Sequence, residues 1–336
     1  MTTPWTGHAL AIELDTAITA VRSAGHLCRE VQDSLDPGAL EKKDKSPVTV
    51  ADFGSQALVC RHLGAIFPGD PVIGEEDSAA LSEAENAITM GRVIESVRVQ
   101  VPDADPEEIC TWIDRGNHQD YTPRFWTLDP IDGTKGFLRG QQYAVGLALI
   151  LDGEIACSAL GCPNLGPSLD GDRGEGTLVV AIRGAGAWQM PLFADGTPTP
   201  LAVTTESDPA LIRFCESVEA AHSSHGDAAN IARELGIRAE PVRLDSMTKY
   251  AVVARGEAEA YLRLPRSAEY REKIWDHAAG VLALTEAGGR VTDVRGADLD
   301  FGRGYRLEEN MGVIVSNGTL HDDVLGALRK LGIPRF

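Results

Sequence analysis

LDPIDGTKGF, at residues 128–137, is the most informative segment of this 336-residue chain. Its two aspartates, Asp129 and Asp132, stand three positions apart with a proline between them and a glycine after them. Residues 124–128 read as a short buried strand, which the proline and glycine are expected to stop. The pattern therefore predicts two carboxylates at a strand end, on one side of a tight loop.

This segment combines two features that a phosphate-processing site needs. Carboxylate oxygens are ligands that Mg²⁺ prefers, usually together with phosphate oxygens of a substrate. The backbone N–H groups around Gly133 and Thr134 are free to point at an anion. A lone motif of this kind is more often a solvated Asx turn. The interpretation therefore depends on the rest of the chain.

The composition is that of an ordinary globular chain, with 43% hydrophobic and 24% charged residues. A net charge of −19 argues against nucleic acid as a partner, because a phosphate backbone requires a basic surface. It does not exclude a small phosphorylated ligand, since bound cations invert the charge of an acidic pocket.

Compartment and membrane association are predicted from what the sequence lacks. The six cysteines are scattered and form no C-x-x-C pair, which predicts free thiols in a reducing compartment. The sequence shows no signal-peptide pattern and no apolar run of about 20 residues. We therefore expect a cytoplasmic protein without a membrane anchor.

The order of helical and strand patterns predicts a layered protein of two subdomains. Amphipathic spacing predicts helices from His8 to about Leu35 and from about Val50 to Ile66. Residues 79–120 look helical, and from Tyr143 to Met190 the period changes to that of strands separated by glycine turns.

A Pro- and Gly-rich segment at 191–200 is the predicted boundary, after which strands and helices alternate to the C-terminus. The predicted division is an α+β subdomain over residues 1–195 and an α/β subdomain over residues 196–336.

Three further carboxylates stand at predicted element boundaries. Asp52 is expected in the first turn of the second helix, Glu75 follows a predicted buried strand, and Asp276 opens an apolar helix. Taken singly, each is more simply explained as a capping or surface acid. Together with Asp129 and Asp132 they favour a shared site for several metal ions.

Three motifs carry a resemblance to a known family: GEE at 74–76, DPIDGT at 129–134 and WDHAAG at 275–280. In order and spacing they resemble the magnesium-dependent, lithium-sensitive phosphomonoesterases that include inositol monophosphatase. The similarity runs from about Ser46 to Gly289. It implies an α+β fold, the layered αβαβα sandwich of the sugar-phosphatase type. DGTKGFLRG at 132–140 is similar to the nucleotidase branch of that group.

The resemblance implies a site for two or three Mg²⁺ ions, with most of the ligands in the N-terminal subdomain. Glu75, Asp129 and the Ile131 carbonyl would hold one ion. Asp129, Asp132 and Asp276 would hold a second, and a third, weaker ion would lie near Glu75.

The same resemblance assigns the catalytic groups. Asp52 and Thr134 would position and deprotonate the attacking water. The backbone N–H groups of Gly133 and Thr134 would bind the phosphate.

The resemblance also implies substrate-binding residues in the C-terminal subdomain: His225, Ser246, Lys249 and Arg263. Metals serve only the scissile phosphate, so a second phosphate needs Lys or Arg. Taken alone, Lys249 could be a helix-surface lysine and His225 a capping histidine, and His222 competes with His225. Arg263 lies in an apolar strand, where an unpaired guanidinium would be costly, which favours a bound anion.

The activity implied is hydrolysis of the 3′-phosphate of adenosine 3′,5′-bisphosphate to AMP and phosphate, with the sulfated nucleotide as an additional candidate substrate. The first alternative is an inositol (poly)phosphate 1-phosphatase, followed by a histidinol-phosphate or fructose-1,6-bisphosphate phosphatase. The last alternative is a metal-binding regulator without turnover. The partner expected is thus a small-molecule nucleotide bisphosphate, without nucleic acid or membrane, for a monomer or weak homo-oligomer.

Overall fold

The computed structural model describes residues 2–35, 46–83, 86–218, 225–265 and 267–334, in which helices pack on both sides of two sheets. The helices are α1 (Ala11–Asp33), α2 (Ser46–Ile66), α3 (Ala87–Arg98), α4 (Pro106–Asp114), α5 (Thr134–Leu138), α6 (His225–Glu234), α7 (Thr248–Ala254), α8 (Ala278–Glu286) and α9 (His321–Leu331). The strands are β1 (Val72–Ile73), β2 (Arg124–Asp132), β3 (Ala144–Leu151), β4 (Glu154–Cys162), β5 (Thr177–Ile182), β6 (Gly186–Pro191), β7 (Thr199–Pro200), β8 (Phe214–Glu216), β9 (Val242–Arg243), β10 (Ala260–Arg263), β11 (Arg290–Thr292) and β12 (Val313–Ser316).

The first sheet takes its strands in chain order from β1 to β7, with β1 parallel to β2 and the other pairs antiparallel. Its central strands are buried on both faces because helices cover both sides. Val145, Leu147 and Leu149 of β3 pack with the α1 and α2 side, whereas Ala148 and Ile150 pack with the α7 and α8 side.

The second sheet has the strand order β11-β12-β10-β8-β9 and mixes parallel and antiparallel pairs. Tyr261 and Val315 face the layer formed by α7 and α8, which lies between the two sheets. Leu262 and Ile314 face the outer layer formed by α6 and α9. The described elements therefore stack as helix, sheet, helix, sheet and helix, and the predicted αβαβα sandwich is confirmed.

Two sequence-based boundaries near the site were wrong. β2 is not stopped at Pro130 but continues to Asp132, since its pairing with β3 shifts between Asp129 and Asp132. A missing proline N–H is tolerated at such an irregularity. Gly133, at φ +89°, then ends the strand in the left-handed region that favours glycine.

The second correction concerns α2. It begins at Ser46, so Asp52 lies well inside the helix and not in its first turn. A capping role is thereby excluded for Asp52.

The predicted subdomain division after residue 195 remains a prediction. β7, which follows that position, still pairs with β6 of the first sheet. All six cysteines are free thiols, as expected, and all but Cys110 are buried. Within the described ranges, no helix combines the length and apolar content that crossing a bilayer requires.

Candidate active site

Glu75, Asp129, Ile131, Asp132 and Asp276 line one cavity with a volume of about 570 Å³. Parallel pairing of β1 and β2 brings their carboxyl ends to the same edge of the first sheet. Glu75 follows β1 and the others in the DPID motif end β2. Asp276 arrives from the segment just before α8, so the predicted metal ligands from both halves of the chain meet.

A buried glutamine holds the loop that carries Glu75. The Gln56 side chain donates from Nε2 to the carbonyl oxygens of Glu76, at 2.6 Å, and Ile113, at 2.8 Å. Its Oε1 accepts from the Glu76 N–H at 3.1 Å. A Cβ at Gly74 would lie 2.6 Å from Gln56 Oε1, which explains why glycine stands in the GEE motif.

Burial and mutual repulsion disfavour charge on these carboxylates. Burial, followed by Asp276 and Glu76, raises the pKa of Glu75 to about 8. Burial and Glu75 raise the pKa of Asp129 well above its usual value, and burial raises that of Asp276 to about 6. Of these acids Asp129 is buried, Asp276 is half-buried and Glu75 is exposed, and a group of carboxylates this crowded needs a counter-cation to ionise fully at neutral pH.

The donor atoms fit a hard cation. Asp129 Oδ1 is buried and has no hydrogen-bond partner in the described part of the chain. The predicted ligand set contains only oxygen donors, which suits Mg²⁺. We conclude that these residues can hold the metal that the resemblance implies.

The two predicted catalytic residues differ in their position relative to the cavity. Asp52 is buried on α2, and its Oδ1 also lacks a partner among the described residues. Burial, followed by Glu76 and Glu75, raises the pKa of Asp52 well above its usual value. Thr134 is exposed at the start of α5 and lines the cavity, whereas Asp52 is not among the described lining residues.

Two cations, Lys249 and Arg263, line the same cavity; we call them the cationic wall, and the predicted metal ligands the acidic wall. Lys249 is buried, which excludes the alternative of a helix-surface lysine. Its Nζ donates to the carbonyl oxygens of Ser246, at 2.8 Å, and Leu244, at 3.2 Å. Burial lowers the pKa of Lys249 to about 8. Ser246 lines the same wall and adopts φ +70°, which turns the chain into α7.

Arg263 also lines the cavity, but its guanidinium is not unpaired as the sequence argument assumed. Nη2 lies 3.1 Å from Glu272 Oε2 and 3.7 Å from Asp276 Oδ2. The charge of Arg263 is therefore balanced inside the protein, so the cost of an unpaired charge is no argument for a bound anion.

His225 begins α6, but its side chain lies outside the described residues, as does the whole of His222. The predicted contact of one of them with the base stays a prediction.

Sequence reasoning missed several residues of the cavity. Asp245, which lines it, forms an ion pair with Arg139. Gly136 allows this approach, since a Cβ there would lie 2.1 Å from the Gln142 carbonyl oxygen and 3.0 Å from Asp245 Cβ. Asp245 and Arg139 both stand in segments already noted for other residues. Glu272 carried no motif and could be found only through its contact with Arg263.

A sequence model described as the inositol monophosphatase family matches residues 10–332. This chain belongs to the inositol monophosphatase family. A 3′(2′),5′-bisphosphate nucleotidase 1 of Candida albicans is 41% identical, covering 98% of this chain and 99% of the relative. A 3′(2′),5′-bisphosphate nucleotidase of Schizosaccharomyces pombe is 44% identical, covering 94% of each.

The solved structures agree on the fold of this inositol monophosphatase family member. Inositol monophosphatase from Anabaena superimposes with a TM-score of 0.60 at 20% identity, covering 96% of each chain. Metal dependence is general in the family, and the acidic cavity of this member accords with it.

Proposed function

We propose that this chain is a metal-dependent 3′(2′),5′-bisphosphate nucleotidase that converts adenosine 3′,5′-bisphosphate to AMP and phosphate. One observation carries the proposal. A single cavity is lined both by the carboxylates Glu75, Asp129, Asp132 and Asp276 and by the cations Lys249 and Arg263. The names of the relatives at 41% and 44% identity support the same substrate.

The two walls suit the two phosphates of such a substrate. A phosphate ester cannot approach Glu75, Asp129 and Asp276 directly, because like charges repel, so the scissile phosphate requires cations between them. The second phosphate has no metal of its own and needs Lys or Arg. A substrate with a single phosphate would leave the buried Lys249 without an anion.

We assign Mg²⁺ to the acidic wall, in two to three ions. Glu75, Asp129 and the Ile131 carbonyl would hold one ion, and Asp129, Asp132 and Asp276 another. When bound, the metal orients the phosphate, lowers the pKa of water and neutralises charge on the leaving oxygen. A third, weaker ion near Glu75 belongs to the same proposal.

The chain's own groups would orient the remaining atoms. The backbone N–H groups of Gly133 and Thr134, at the turn that ends β2, would donate to the non-bridging phosphate oxygens. Thr134, which lines the cavity, and Asp52, which is buried on α2 and is not among the described lining residues, would position and deprotonate the attacking water. Ser246 would contact the nucleotide beside Lys249, and His225 is the proposed contact to the base.

The test is phosphate release with Mg²⁺ from adenosine 3′,5′-bisphosphate, its sulfated form, inositol 1-phosphate, inositol 1,4-bisphosphate and fructose 1,6-bisphosphate. We expect the highest kcat/KM on the adenosine nucleotides and inhibition by LiCl relative to KCl at equal ionic strength. Turnover of inositol phosphates without turnover of the nucleotide would instead identify an inositol phosphatase.

A further inference from the structure

A chain of polar side chains links Arg263 to Glu272, His277 and Tyr250, and Glu272 and Tyr250 line the cavity together with Arg263. Glu272 Oε1 accepts from Arg263 Nε at 3.3 Å, and Oε2 lies 3.1 Å from Nη2. The two contacts form a fork on one edge of the guanidinium. Side-chain exposure is 4% for Glu272 and 17% for Arg263, so solvent screens this pair little.

Two further residues hold Glu272 in place. His277 Nε2 lies 3.3 Å from Glu272 Oε2, and His277 Nδ1 lies 2.8 Å from the Tyr250 hydroxyl. Burial opposes the charge of Glu272, but Arg263 and the hydrogen bond from His277 hold its pKa at about 2. An ionised Glu272 assigns the proton to His277 Nε2, so Nδ1 accepts from Tyr250.

Glu272, Asp276 and His277 have the composition of a metal site, but Glu272 and His277 belong to a hydrogen-bonded network that holds Arg263. Ligand atoms of Glu272, Asp276 and His277 lie within 4.8 Å of one another. Both nitrogens of His277 and both oxygens of Glu272 are already engaged, and the guanidinium of Arg263 supplies the positive charge. A cation here would have to displace Arg263.

The same network extends to Lys249, the second cation of the cavity. Lys249 Nζ lies 4.8 Å from the centre of the Tyr261 ring. Tyr261 packs edge-on against Tyr250, with ring centres 5.6 Å apart and planes at 81°. Because Tyr250 also holds His277, both cations of the wall rest on one buried unit.

The position of Arg263 matters because Asp276, a proposed metal ligand, lies close to its guanidinium. Arg263 Nη2 is 3.7 Å from Asp276 Oδ2, which the proposed function assigns to a metal. Without Glu272, the nearest acid to the guanidinium would be Asp276. An ion pair between them would compete with the metal and turn Arg263 away from the substrate.

We infer that Glu272 is a positioning residue that fixes Arg263 for the second, non-scissile phosphate and so determines the preference for a bisphosphate. Glu272 engages Nε and Nη2 on one edge of the guanidinium, which lines the cavity and is also hydrogen-bonded to Tyr261 and Tyr270. His277 and Tyr250 hold the carboxylate in this orientation. The inference rests on the proposed function.

The experiment compares Glu272→Gln with the wild type on adenosine 3′,5′-bisphosphate and on 3′-AMP, which has no 5′-phosphate. A charge-assisted hydrogen bond is worth about 1.5–3 kcal/mol, so we expect KM for the bisphosphate to rise roughly tenfold or more. We expect kcat at saturating Mg²⁺, and both constants for 3′-AMP, to change little.

The matched control is Glu259→Gln, since Glu259 is equally buried and does not line the cavity. It accepts from the Arg213 N–H at 2.7 Å and so reports the cost of altering a buried glutamate elsewhere. We expect Glu259→Gln to leave the ratio of the two substrates' KM values at the wild-type level.

A double-mutant cycle separates positioning from general damage. If Glu272 acts through Arg263, Glu272→Gln should raise the bisphosphate KM little further in an Arg263→Met background. Additive effects, or equal losses on both substrates, would overturn the inference.

Should Glu272→Gln fail to fold, Tyr250→Phe breaks the same chain at its far end and should raise only the bisphosphate KM. An unchanged KM in that variant would also overturn it.

The two proposals fail differently. A wild type that releases no phosphate from adenosine 3′,5′-bisphosphate defeats the proposed function, and this inference with it. A wild type that turns over the bisphosphate, with an unchanged KM ratio in Glu272→Gln, defeats this inference alone.

Discussion

At the scale of single residues, the site combines charged groups that the chain neutralises only in part. Asp129 Oδ1 is buried without a hydrogen-bond partner among the described residues, while burial lowers the pKa of Lys249 to about 8. Isolated buried charges are costly, so both are expected to matter more for ligand binding than for folding.

Asp129→Asn tests the acidic wall. The amide keeps the shape but removes the charge that a cation requires, so we predict a fall in kcat of roughly 10²-fold or more. Folding should survive, because the change also removes repulsion from Glu75. Steady-state kinetics and thermal unfolding in chelator measure the two effects, and exposed Asp103→Asn is the control. Near-wild-type kcat with unchanged metal stoichiometry would refute the assignment, and the same expectation holds for Asp132→Asn.

Lys249→Met tests the cationic wall. Loss of one charge-assisted hydrogen bond should lower kcat/KM for adenosine 3′,5′-bisphosphate by roughly one to two decades. The same constant for 3′-AMP should change little, because that substrate has no 5′-phosphate. Lys330→Met, at a lysine 69% exposed, is the control. Equal losses on both substrates would remove the role assigned to Lys249.

At the scale of secondary-structure elements, the site depends on how loops and helix ends are attached to the sheets. The loop after β1 carries Glu75 and is held by Gln56 of α2. The far end of the molecule shows a comparable attachment, where His321 at the start of α9 bonds to both β11 and β12.

Gly74→Ala tests the first attachment. The new Cβ would lie 2.6 Å from Gln56 Oε1, and Gln56 is fully buried, so the side chain must move and release Glu76. Overpacking of this kind costs about 1–3 kcal/mol. Urea unfolding and Mg²⁺ titration should show lower stability and weaker metal binding. Gly69→Ala, with no atom within 4 Å of its Cβ, should be neutral. Equal behaviour of the two variants would contradict the role of Gln56 in holding this loop.

His321 gives the second attachment a pH dependence. Nε2 lies 2.8 Å from Thr292 Oγ1 and Nδ1 lies 2.9 Å from Ser316 Oγ. Burial, followed by Arg290, lowers the pKa of His321 from 6.5 to about 4. The unfolded chain therefore binds the proton first. The stabilisation is complete above pH 6.5 and is lost as the pH falls towards 4.

The measurement is the free energy of unfolding between pH 7 and 4.5 for the wild type and His321→Gln. The wild type should lose about 2 kcal/mol more than the variant over this range. Parallel pH profiles would show that His321 is not held neutral.

At the scale of the whole molecule, the acidic wall joins distant parts of the chain. Glu75 comes from the edge of the first sheet, Asp129 from its second strand, and Asp276 from the segment that enters the middle helical layer. A cation that binds them binds only the folded arrangement, since the unfolded chain separates them.

Mg²⁺ should therefore stabilise the entire protein. At about 100 times the dissociation constant, binding contributes about 2.7 kcal/mol, which should raise Tm by several degrees over a chelator-treated sample. Differential scanning calorimetry measures the shift without any substrate. Asp129→Asn should reduce it, whereas Asp103→Asn should not. An identical Tm with and without Mg²⁺ would exclude a site that bridges these elements.

Local pattern alone predicted much of this protein. Glycine turns and period-two spacing located the strands of the first sheet, since each depends on neighbours a few residues away. The proposed metal ligands came from the family resemblance, which could be recognised because its motifs are contiguous. β2 was nevertheless ended too early at Pro130, because the shift in pairing that accommodates it belongs to β3.

Sequence patterns and the family resemblance were sufficient to predict the layered fold, the family and the acidic groups of the cavity. The surroundings of the cations depend instead on contacts between segments that are distant in sequence. Arg263 was treated as unpaired because its partner Glu272 comes from a loop beyond β10. A surface position stayed open for Lys249 because the strands of the second sheet that pack against α7 lie in other segments. The physical reason is that charge and chemistry belong to a residue, whereas burial and ion pairing belong to the contacts that folding creates.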